Sequence, residues 1–422
     1  MKIRELTTQE FNQFQANHPL SNYHQTINYA ILMSENGYDY DLIGYVDEYD
    51  NILAASLILL KPIGIKCFYG YAPRGFLINY NDEELFKEFT RHIKMFLKAK
   101  NFAYLKIDPP IIYKSRNKHG EEIIGGKDNT PLLNKMKNLG YIHLGFNNNF
   151  EALKPRWNAV IKLSKKENEM FMSFNKDTRN KINNSMRKGL EVYKGTEQDI
   201  PILYEFIKKN YNRPISYYYD YYEIFKKRNM IDLYLVKLNP VKYLETSKYL
   251  YENELENNNN IVKSMIGKLR KKNLTNKKIE SDKLLNAYKK DVVFATKLLS
   301  EYPDGLIIGG SLVIKYNKQL QFLIDGIDED FKSFNPNHLL KWTVIKEYLN
   351  SNYYYIDLNG IVGNFSKENN PYYGLNHFKL GFNSDVIEYI GEFNLPINLP
   401  IYHIVQQSSA LGFTNNIGTN KK

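Results

Sequence analysis

The same order of secondary structure, two strands, a loop, a helix and a third strand, is predicted twice in this chain of 422 residues. β-Branched and aromatic runs indicate the strands, and apolar residues at helical spacing indicate the helices. The first copy comprises strands over 52–60 and 65–71, a loop at 73–75, a helix over 82–100 and a strand over 102–107. The second comprises strands over 306–316 and 320–325, a helix over 338–350 and a strand over 353–358. The repeat favours an internal duplication of an α/β unit, with unrelated α+β segments as the alternative.

We therefore predict an α/β fold of two tandem lobes with an inserted helical arm. Residues 1–150 form the first lobe, which the C-terminal segment 383–405 completes. Residues 151–239 together with 303–382 form the second lobe. Residues 240–302 differ in character from both lobes and are predicted to form a narrow arm without a core of its own.

The arm segment has a heptad pattern on both sides of a polar turn, which predicts an antiparallel coiled coil. The predicted seam positions are Tyr251, Leu255, Asn258, Val262, Met265 and Leu269 in the first helix, and Leu285, Tyr288, Val292, Ala295, Leu299 and Tyr302 in the second. Residues 240–301 hold 13 Lys and Arg against 8 Asp and Glu, and Lys271 and Lys272 lie at the tip. The tip is predicted to contact a polyanion, with a solvated helical face as the alternative.

Positive charge also accumulates in segment 162–194, which holds 9 Lys and Arg against 4 Asp and Glu. Within it, residues 177–189 have a helical pattern that ends at Gly189, a typical C-terminal cap. Phe174, Ile182 and Met186 are predicted to face a core. The basic residues predicted to face solvent are Arg179, Lys181, Arg187 and Lys188. With a formal charge of +11, the chain favours an anionic partner such as nucleic acid or acidic lipid, and a mildly basic protein without such a partner is the alternative.

Several classes of chemistry lack their sequence signals. The eight His residues show no metal-ligand spacing and Cys67 is the single cysteine, so we predict no metal site and no disulfide framework. No Gly-rich loop ends in Lys-Ser or Lys-Thr, and no Gly-x-Ser-x-Gly elbow occurs. The N-terminus has no signal segment, and the longest apolar run, 52–60, is too short to span a bilayer. We therefore expect a protein of the reducing cytoplasm.

The predicted order of elements is also that of an N-acyltransferase core. Enzymes of this kind that use coenzyme A need glycine amides before the helix to hold the pyrophosphate. The loop at 332–337 has no glycine, and the loop around Arg74 has one, Gly75. The sequence therefore predicts an acyltransferase-like fold with an acyl donor other than coenzyme A.

Two further segments have the composition of a pocket rim. Residues 212–222 place five tyrosines beside Arg213, and residues 356–382 join an Asn- and Gly-rich strand end to a helix that carries Lys379. Binding and catalytic residues are often found on such loops. A core role for the tyrosines and a surface role for the lysine are the alternatives.

A series of motifs connects these segments: Ala-Pro-Arg-Gly-Phe at 72–76, Tyr-Leu-Lys-Ile-Asp-Pro at 104–109, the 178–189 helix, 213–218, Gly360, Tyr-Gly-Leu at 373–375 with Phe378 and Lys379, and Ile-Gly-Glu-Phe at 390–393. In this order they resemble the Fem family of non-ribosomal aminoacyltransferases, which includes FemX, FemA, FemB and the related MurM and builds peptidoglycan interpeptide bridges. The resemblance covers nearly the whole chain, including the helical insertion. It implies two N-acetyltransferase-like (GNAT) lobes that transfer an amino acid, expected to be Gly and otherwise Ala or Ser, from aminoacyl-tRNA to an amine of the lipid II stem peptide.

The resemblance also implies roles for single residues. Lys379 lies at the reaction centre, where it can stabilise an oxyanion, and Asp108 is the candidate proton acceptor. Arg213 contacts the phosphates of the acceptor, and Tyr217 and Tyr218 line the acceptor groove. The other expected substrate-binding residues are Arg74, Asn359, Gly360 and Phe378. The expected tRNA-binding residues are Arg179, Lys181, Arg187, Lys188, Lys271 and Lys272.

Two regions depart from the family pattern. Tyr29 and Met33 stand where many members have a Trp and, four residues later, a phosphate-contacting Lys, and the acidic stretch before Arg213 is shortened to residues 208–211. The implied partners are aminoacyl-tRNA as co-substrate, with no resident cofactor, lipid II or another peptidoglycan precursor, the inner face of the cell membrane, and homologous aminoacyltransferases. A coenzyme A-dependent N-acyltransferase and a non-catalytic RNA- or envelope-binding protein are the alternative functions.

Overall fold

The computed structural model describes residues 1–64, 67–164, 166–266 and 272–410. The strands in chain order are β1 (Lys2–Glu5), β2 (Asp39–Val46), β3 (Ile52–Pro62), β4 (Phe68–Ala72), β5 (Phe102–Ile107), β6 (Ile112–Ser115), β7 (Ile142–His143), β8 (Trp157–Lys162), β9 (Leu190–Gly195), β10 (Ile231–Leu238), β11 (Leu306–Tyr316), β12 (Gln319–Ile327), β13 (Tyr355–Ile361), β14 (Asp385–Tyr389) and β15 (Phe393–Pro396). The helices are α1 (Thr8–Asn17), α2 (Ile27–Glu35), α3 (Glu83–Ala99), α4 (Thr130–Asn138), α5 (Glu167–Ser173), α6 (Lys176–Arg187), α7 (Ile200–Ile207), α8 (Ile215–Lys226), α9 (Pro240–Met265), α10 (Lys272–Glu301), α11 (Pro336–Tyr348), α12 (Tyr373–Leu380) and α13 (Leu399–Ala410). Short 3₁₀ helices cover Tyr23–Gln25, Glu197–Asp199 and Glu329–Phe334.

Within the described residues the strands form two sheets. The first has the order β1-β2-β3-β4-β5-β15-β7, and the second has the order β6-β14-β8-β13-β12-β11-β10-β9. Each sheet contains an antiparallel run that ends in a parallel pair, β4 with β5 and β12 with β13. Because a parallel pair needs a crossover connection, a helix joins its strands, α3 in the first sheet and α11 in the second. The predicted α/β class with two lobes is therefore confirmed.

Strand pairing near the predicted lobe boundaries ties the two sheets together. Residues 383–405 contribute to both sheets, because β14 pairs with β8 in the second sheet and β15 pairs with β5 in the first. β6 lies within residues 1–150 but pairs with β14 in the second sheet. A strand can form its backbone hydrogen bonds with any sheet edge that the chain brings it to. The pairings of β6, β14 and β15 therefore do not follow the predicted lobe boundaries.

One hydrophobic core is shared by the two lobes. It contains Tyr29 from α2, Tyr221 and Phe225 from α8, and strand residues of both sheets. Asn28 adds a direct connection by donating to the backbone carbonyl of Ile224 at 2.7 Å. Separate cores lie under α3 and α4 on the first sheet and under α6 and α11 on the second. The shared core holds the facing sides of the lobes in a defined relation.

Helices α9 and α10 pack against each other as an antiparallel pair that projects from the second lobe. Near the base, the Tyr243 hydroxyl donates to Asp291 at 2.9 Å, and farther along α9 the Asn258 amide donates to Ser281 at 2.9 Å. Ala295 of α10 is fully buried in the core of the second lobe, which roots the arm there.

The seam of the first arm helix differs from the predicted one. Leu255 and Val262 are 38% and 41% exposed, so their assignment to the seam was wrong. The seam includes Asn258, as predicted, and Glu254, because Ser281 donates to Glu254 and Asn258 donates to Asp282 at 2.8 Å. A polar residue at a single seam position commonly fixes the register of a coiled coil. Leu269 and Lys271 lie outside the described residues, as does the side chain of Lys272.

Candidate functional site between the lobes

A cleft of about 210 Å³ opens between the two lobes. Both lobes contribute polar side chains to its lining, among them His24, Arg74, Asn158, Gln321, Asp357 and Tyr389. Two buried lining atoms, His24 Nε2 and Asn158 Oδ1, have no hydrogen-bond partner within the described part of the chain. Buried polar groups are normally satisfied by protein, water or ligand. The cleft therefore has the chemical character of a ligand site.

On the side of the first lobe, Asp108 and Arg74 form a buried pair. Asp108 directly follows β5, is 2% exposed, and accepts the backbone N–H of Arg74 at 2.7 Å. Its other carboxylate oxygen lies 3.8 Å from the Arg74 guanidinium. Burial raises the pKa of Asp108 to about 6, although the charge of Arg74 opposes this shift. The Arg74 guanidinium also covers the ring of Tyr389 at 4.6 Å. Arg74 and Tyr389 line the cleft, whereas Asp108 is not among its lining residues.

On the side of the second lobe, a bulge in β13 places Asp357 at the cleft. The register of β13 against β8 shifts between Asp357 and Gly360, and Asn359 has a φ of 67°, a left-handed conformation that Asn tolerates better than most residues. Bulges of this kind often re-aim side chains next to active sites. Asp357 accepts the Asn158 amide at 2.8 Å and the backbone N–H of Asn359 at 2.7 Å. Sequence reasoning missed Asp357 and Asn158, although an Asp inside an apolar strand was an available signal.

Lys379 is a buried cation beside the same bulge. It lies on α12, is 7% exposed, and its Nζ donates to the carbonyl of Gly360 at 2.7 Å. Burial lowers its pKa to about 8, with the negative charges of Asp325 and Asp357 in opposition. Asp325 already pairs with the fully buried Lys341. Within the described residues, no carboxylate lies within ion-pair distance of Lys379.

The chain between the lobes brings these groups together. The carbonyl of Pro155 accepts the Arg74 guanidinium at 2.9 Å, and the Pro155 ring packs on Gly360. A Cβ at Gly360 would lie 2.7 Å from both Pro155 and Phe150, so only glycine fits this approach. Of the predicted residues, Arg74 lines the cleft and has Asp108 as its ion-pair partner. Asn359, Gly360 and Lys379 lie together at the β13 bulge next to Asp357 and are not among the lining residues.

Lys154 is a further cation of the site that sequence reasoning did not identify. Its Nζ donates to the Tyr29 hydroxyl at 3.3 Å and lies 5.4 Å from the centre of the Tyr29 ring. Burial lowers the pKa of Lys154, and the positive charges of Arg74 and Arg213 act in the same direction. Tyr29 is one of the two residues that depart from the family pattern, and Lys154 contacts it from a segment distant in sequence.

Arg213 faces the same group of tyrosines. Its guanidinium covers the ring of Tyr217 at 5.0 Å, and its positive charge acts on both Lys154 and Tyr29. Neither Arg213 nor Lys154 has a carboxylate within 4.0 Å among the described residues. Two neighbouring cations without counter-ions are suited to an anionic ligand such as a phosphate.

Two predicted substrate-binding residues lie in packed cores. Tyr218 is 4% exposed in the shared core and packs against Tyr204 at a ring distance of 5.9 Å. Phe378 lies 4.7 Å from the His338 ring and packs against the core of the second lobe. Neither ring lines the cleft.

The predicted nucleic-acid face on α6 is partly engaged within the protein. Arg179 donates to the backbone carbonyls of Met172 and Phe174, Lys181 pairs with Asp177 at 2.8 Å, and Lys188 lies 4.1 Å above the Phe334 ring. Arg187 is exposed and makes one long contact, 3.5 Å, to Asn184. Met186, predicted to face the core, is 47% exposed. The buried face of α6 consists of Thr178, Ile182 and Ser185 instead.

The described part of the chain has neither a metal-type cluster of side chains nor a helix that could cross a membrane. No group of three or more His, Cys, Asp or Glu side chains in the four described ranges has the arrangement of a metal site. In the same ranges, no helix has the length and apolar character needed to cross a membrane.

Comparison with known proteins places the fold and the motifs in one family. The chain matches the FemAB family model over residues 6–408. It is 27% identical over 412 residues to the aminoacyltransferase FemA of Staphylococcus aureus (strain MRSA252), which covers 95% of this chain and 97% of that relative. The crystal structure of FemX shares the fold, with a TM-score of 0.73 at 22% identity over 96% of this chain and 100% of that one. The resemblance predicted from the motifs is confirmed, and this chain belongs to the FemAB family.

Proposed function

We propose that this protein is an aminoacyltransferase that moves an amino acid from aminoacyl-tRNA to an amine of the lipid II stem peptide in the synthesis of peptidoglycan interpeptide bridges. The observation that carries the proposal is the inter-lobe cleft lined by Arg74 and Asp357. The charge of the buried Lys379 acts on Asp357, and those of Arg74 and Arg213 act on Lys154. Membership of the FemAB family and similarity to a protein named aminoacyltransferase FemA support the reaction class. Glycine is the expected amino acid, with alanine and serine as alternatives.

The cations Lys154 and Arg213 are suited to the diphosphate of the acceptor. A guanidinium can form two parallel hydrogen bonds to a phosphate, and an ammonium adds a compact positive charge. Many family members have a phosphate-contacting Lys where this chain has Met33, which carries no charge. Lys154, which donates to the Tyr29 hydroxyl, is proposed to supply the positive charge instead. Tyr217 lies under the Arg213 guanidinium and limits the directions in which that group can bind.

Lys379 is suited to stabilise the oxyanion that forms when the acceptor amine attacks the ester. Nζ uses one N–H for the Gly360 carbonyl, and an ammonium has two more to donate. With a pKa of about 8, most of the lysine is protonated at neutral pH. The aminoacyl ester is already activated, so orientation of the amine and the ester supplies much of the remaining rate. Asp108 is the proton acceptor expected from the sequence.

Binding of the two large substrates is assigned to separate surfaces. Arg179, Lys181, Arg187 and Lys188 on α6, with Lys271 and Lys272 at the arm tip, are proposed to contact tRNA through its phosphates. Because lipid II resides in the bilayer, the protein is proposed to act at the inner face of the cell membrane, together with homologous aminoacyltransferases that add other residues of the bridge.

The test is transfer of radiolabel from a panel of charged tRNAs to purified lipid II, with RNase-treated tRNA as control and a nucleotide-linked stem peptide as second acceptor. Transfer that needs intact aminoacyl-tRNA supports the proposal, and the preferred tRNA identifies the added residue. Absence of transfer from every tRNA, combined with thermal stabilisation by acetyl-CoA, would instead establish a coenzyme A-dependent acyltransferase. Binding of RNA without transfer would indicate a non-catalytic protein.

A further inference from the structure

A buried carboxylate without a cation partner lines the cleft on the side of the second lobe. Asp357 is 3% exposed, and no Lys, Arg or His side chain of the described residues lies within 4.0 Å of it. The two cations whose charges act on it, Lys379 and Arg74, direct their hydrogen bonds to the carbonyls of Gly360 and Pro155. A buried charge is costly unless it is paired. The missing partner therefore points to a cationic ligand.

Asn158 adds a second unsatisfied acceptor beside this carboxylate. Its Nδ2 donates to Asp357 at 2.8 Å, because an ionised carboxylate can only accept and the amide nitrogen must face it. Asn158 is 1% exposed, and its Oδ1 is buried without a hydrogen-bond partner within the described residues. Asp357 accepts one bond from Asn158 and one from the Asn359 backbone, which leaves about two of its roughly four lone-pair directions free.

We propose that Asp357 and Asn158 bind the ammonium group of the acceptor and that Asp357 takes its proton before attack on the aminoacyl ester. This inference rests on the proposed function, since it identifies the subsite of that reaction in which the amine is held. A primary ammonium has three N–H donors and one positive charge, which matches two acceptor groups and one negative charge in the cleft.

The proton and the electrons balance in this step. One proton moves from the ammonium nitrogen to Asp357, and the freed lone pair forms a bond to the ester carbonyl carbon, whose oxygen becomes an oxyanion beside Lys379. Collapse of this intermediate breaks the bond between that carbon and the ribose oxygen of the tRNA. The ribose oxygen leaves with the second proton of the nitrogen, and Asp357 releases the first proton to solvent. The products are an amide, a free ribose hydroxyl and one proton.

Asp357 is better placed for this role than Asp108. Asp357 lines the cleft, whereas Asp108 is not among its lining residues, already accepts the backbone N–H of Arg74 at 2.7 Å, and has the Arg74 guanidinium at 3.8 Å. Burial also raises the pKa of Asp357 from its ordinary value, which brings the pKa of a proton acceptor closer to the operating pH.

The decisive experiment compares Asp357→Asn, Asp108→Asn and the wild-type protein in the tRNA-dependent transfer assay across pH. The Asp357→Asn protein is expected to fold, because rotation of the Asn158 amide lets its unpaired oxygen accept from the new amide. We expect kcat to fall about 10²-fold or more, the range for loss of a general base, and the rise of kcat with pH to disappear. Asp108→Asn should keep that rise, and Asp385→Asn, an exposed carboxylate on the adjacent β14, is the matched control. The other charged or titratable groups that face Asp357 are Arg74, Lys379 and Tyr389, and all three are unchanged in these proteins.

A binding measurement separates this inference from the proposed function. Wild-type protein should bind an amine-bearing stem peptide more tightly than its N-acetylated form, and Asp357→Asn should bind both equally. That result supports the ammonium site even if no charged tRNA serves as donor. Equal binding of both peptides by the wild-type protein, wild-type kcat in Asp357→Asn, or loss of the pH-dependent rise in Asp108→Asn alone would each overturn the inference.

Discussion

Each lobe has a buried aspartate where its parallel pair of strands ends, and the two carboxylates differ in their partners. In the first lobe the last paired residues are Ala72 and Ile107, and Asp108 follows directly. In the second lobe Asp357 is itself the last residue paired across the parallel strands. Asp108 has the Arg74 guanidinium at 3.8 Å, whereas Asp357 has only an amide and a backbone N–H as donors. The two aspartates thus occupy equivalent positions in the two lobes. Asp108 has a cation partner within the protein, whereas Asp357 has none among the described residues and is available to a ligand.

The cations of the two lobes show the same division. Arg74 of the first lobe has a carboxylate partner and a carbonyl acceptor, while Lys379 of the second lobe has a carbonyl acceptor alone. Unpaired buried charges are costly and are characteristic of functional sites. We therefore expect the second lobe to supply the chemical step and the first lobe to support it.

The largest effect is expected from Lys379→Met in the second lobe. Loss of the cation should lower kcat about 10²- to 10³-fold, as expected for removal of an oxyanion donor, with little change in the KM for the acceptor. Methionine has a similar volume, so the fold should persist, which circular dichroism can verify. Lys367→Met, an exposed lysine on the loop before α12, is the control. A kcat within threefold of wild type would show that Lys379 has a structural role and that the second lobe does not supply the oxyanion donor.

Asp108→Asn should change the pH dependence of stability in the first lobe. Because burial raises the pKa of Asp108 to about 6, its protonated form is favoured by folding, so this contribution is present below about pH 4 and is lost as the pH rises through 6. From that shift, the free energy of unfolding of the wild-type protein should fall by about 3 kcal/mol relative to Asp108→Asn between pH 4 and pH 7.5. Urea unfolding at both pH values measures this difference. A constant difference would mean that Asp108 is ionised throughout.

The cations between the lobes are expected to affect binding and not the chemical step. Lys154→Met and Arg213→Met should each raise the KM for the acceptor about 10-fold, the loss of about one charge-assisted hydrogen bond to phosphate, with kcat nearly unchanged. Steady-state kinetics with an acceptor that lacks the diphosphate provides the control, since the variants and the wild type should then be equal. A decrease in kcat without a change in KM would place these cations with Lys379 at the reaction centre.

Sequence reasoning predicted the repeated part of the fold because its signals are local. Apolar spacing in α3 and β-branched runs in β3 and β11 determine those elements with little help from the rest of the chain. The arm seam was predicted in part: Asn258 contacts Ser281 and Asp282 of the partner helix, whereas Leu255 and Val262 are exposed and Glu254 takes part in the seam through Ser281. Which residues of α9 form the seam depends on the residues that α10 presents, so the pattern of one helix alone does not determine it.

The site was predicted only in part, because some of its residues are brought together by contacts between distant segments. Motif residues such as Gly360 and Lys379 were found through family resemblance, and the structure places them together. Lys154 and Asn158 were missed because their role arises only when the segment between the lobes crosses the cleft and when β13 bulges beside β8. These are contacts between segments that are distant in sequence, for which the sequence contains no local pattern.

The smallest effect is expected on the nucleic-acid face, where the two lobes again differ. Arg187 on α6 of the second lobe is exposed and nearly free of protein contacts, whereas Arg91 on α3 of the first lobe pairs with Glu88 at 2.7 Å. Arg187→Gln should therefore raise the KM for charged tRNA about two- to threefold at low salt and reduce the slope of log affinity against log salt by about one unit or less, the value for one phosphate contact. Arg91→Gln, the matched change on the opposite lobe, should leave both quantities unchanged, because a neutralised surface arginine attracts a polyanion weakly and its ion pair contributes little to stability. Equal effects of the two substitutions in the transfer assay would show that tRNA is attracted by the overall positive charge and not by the second lobe.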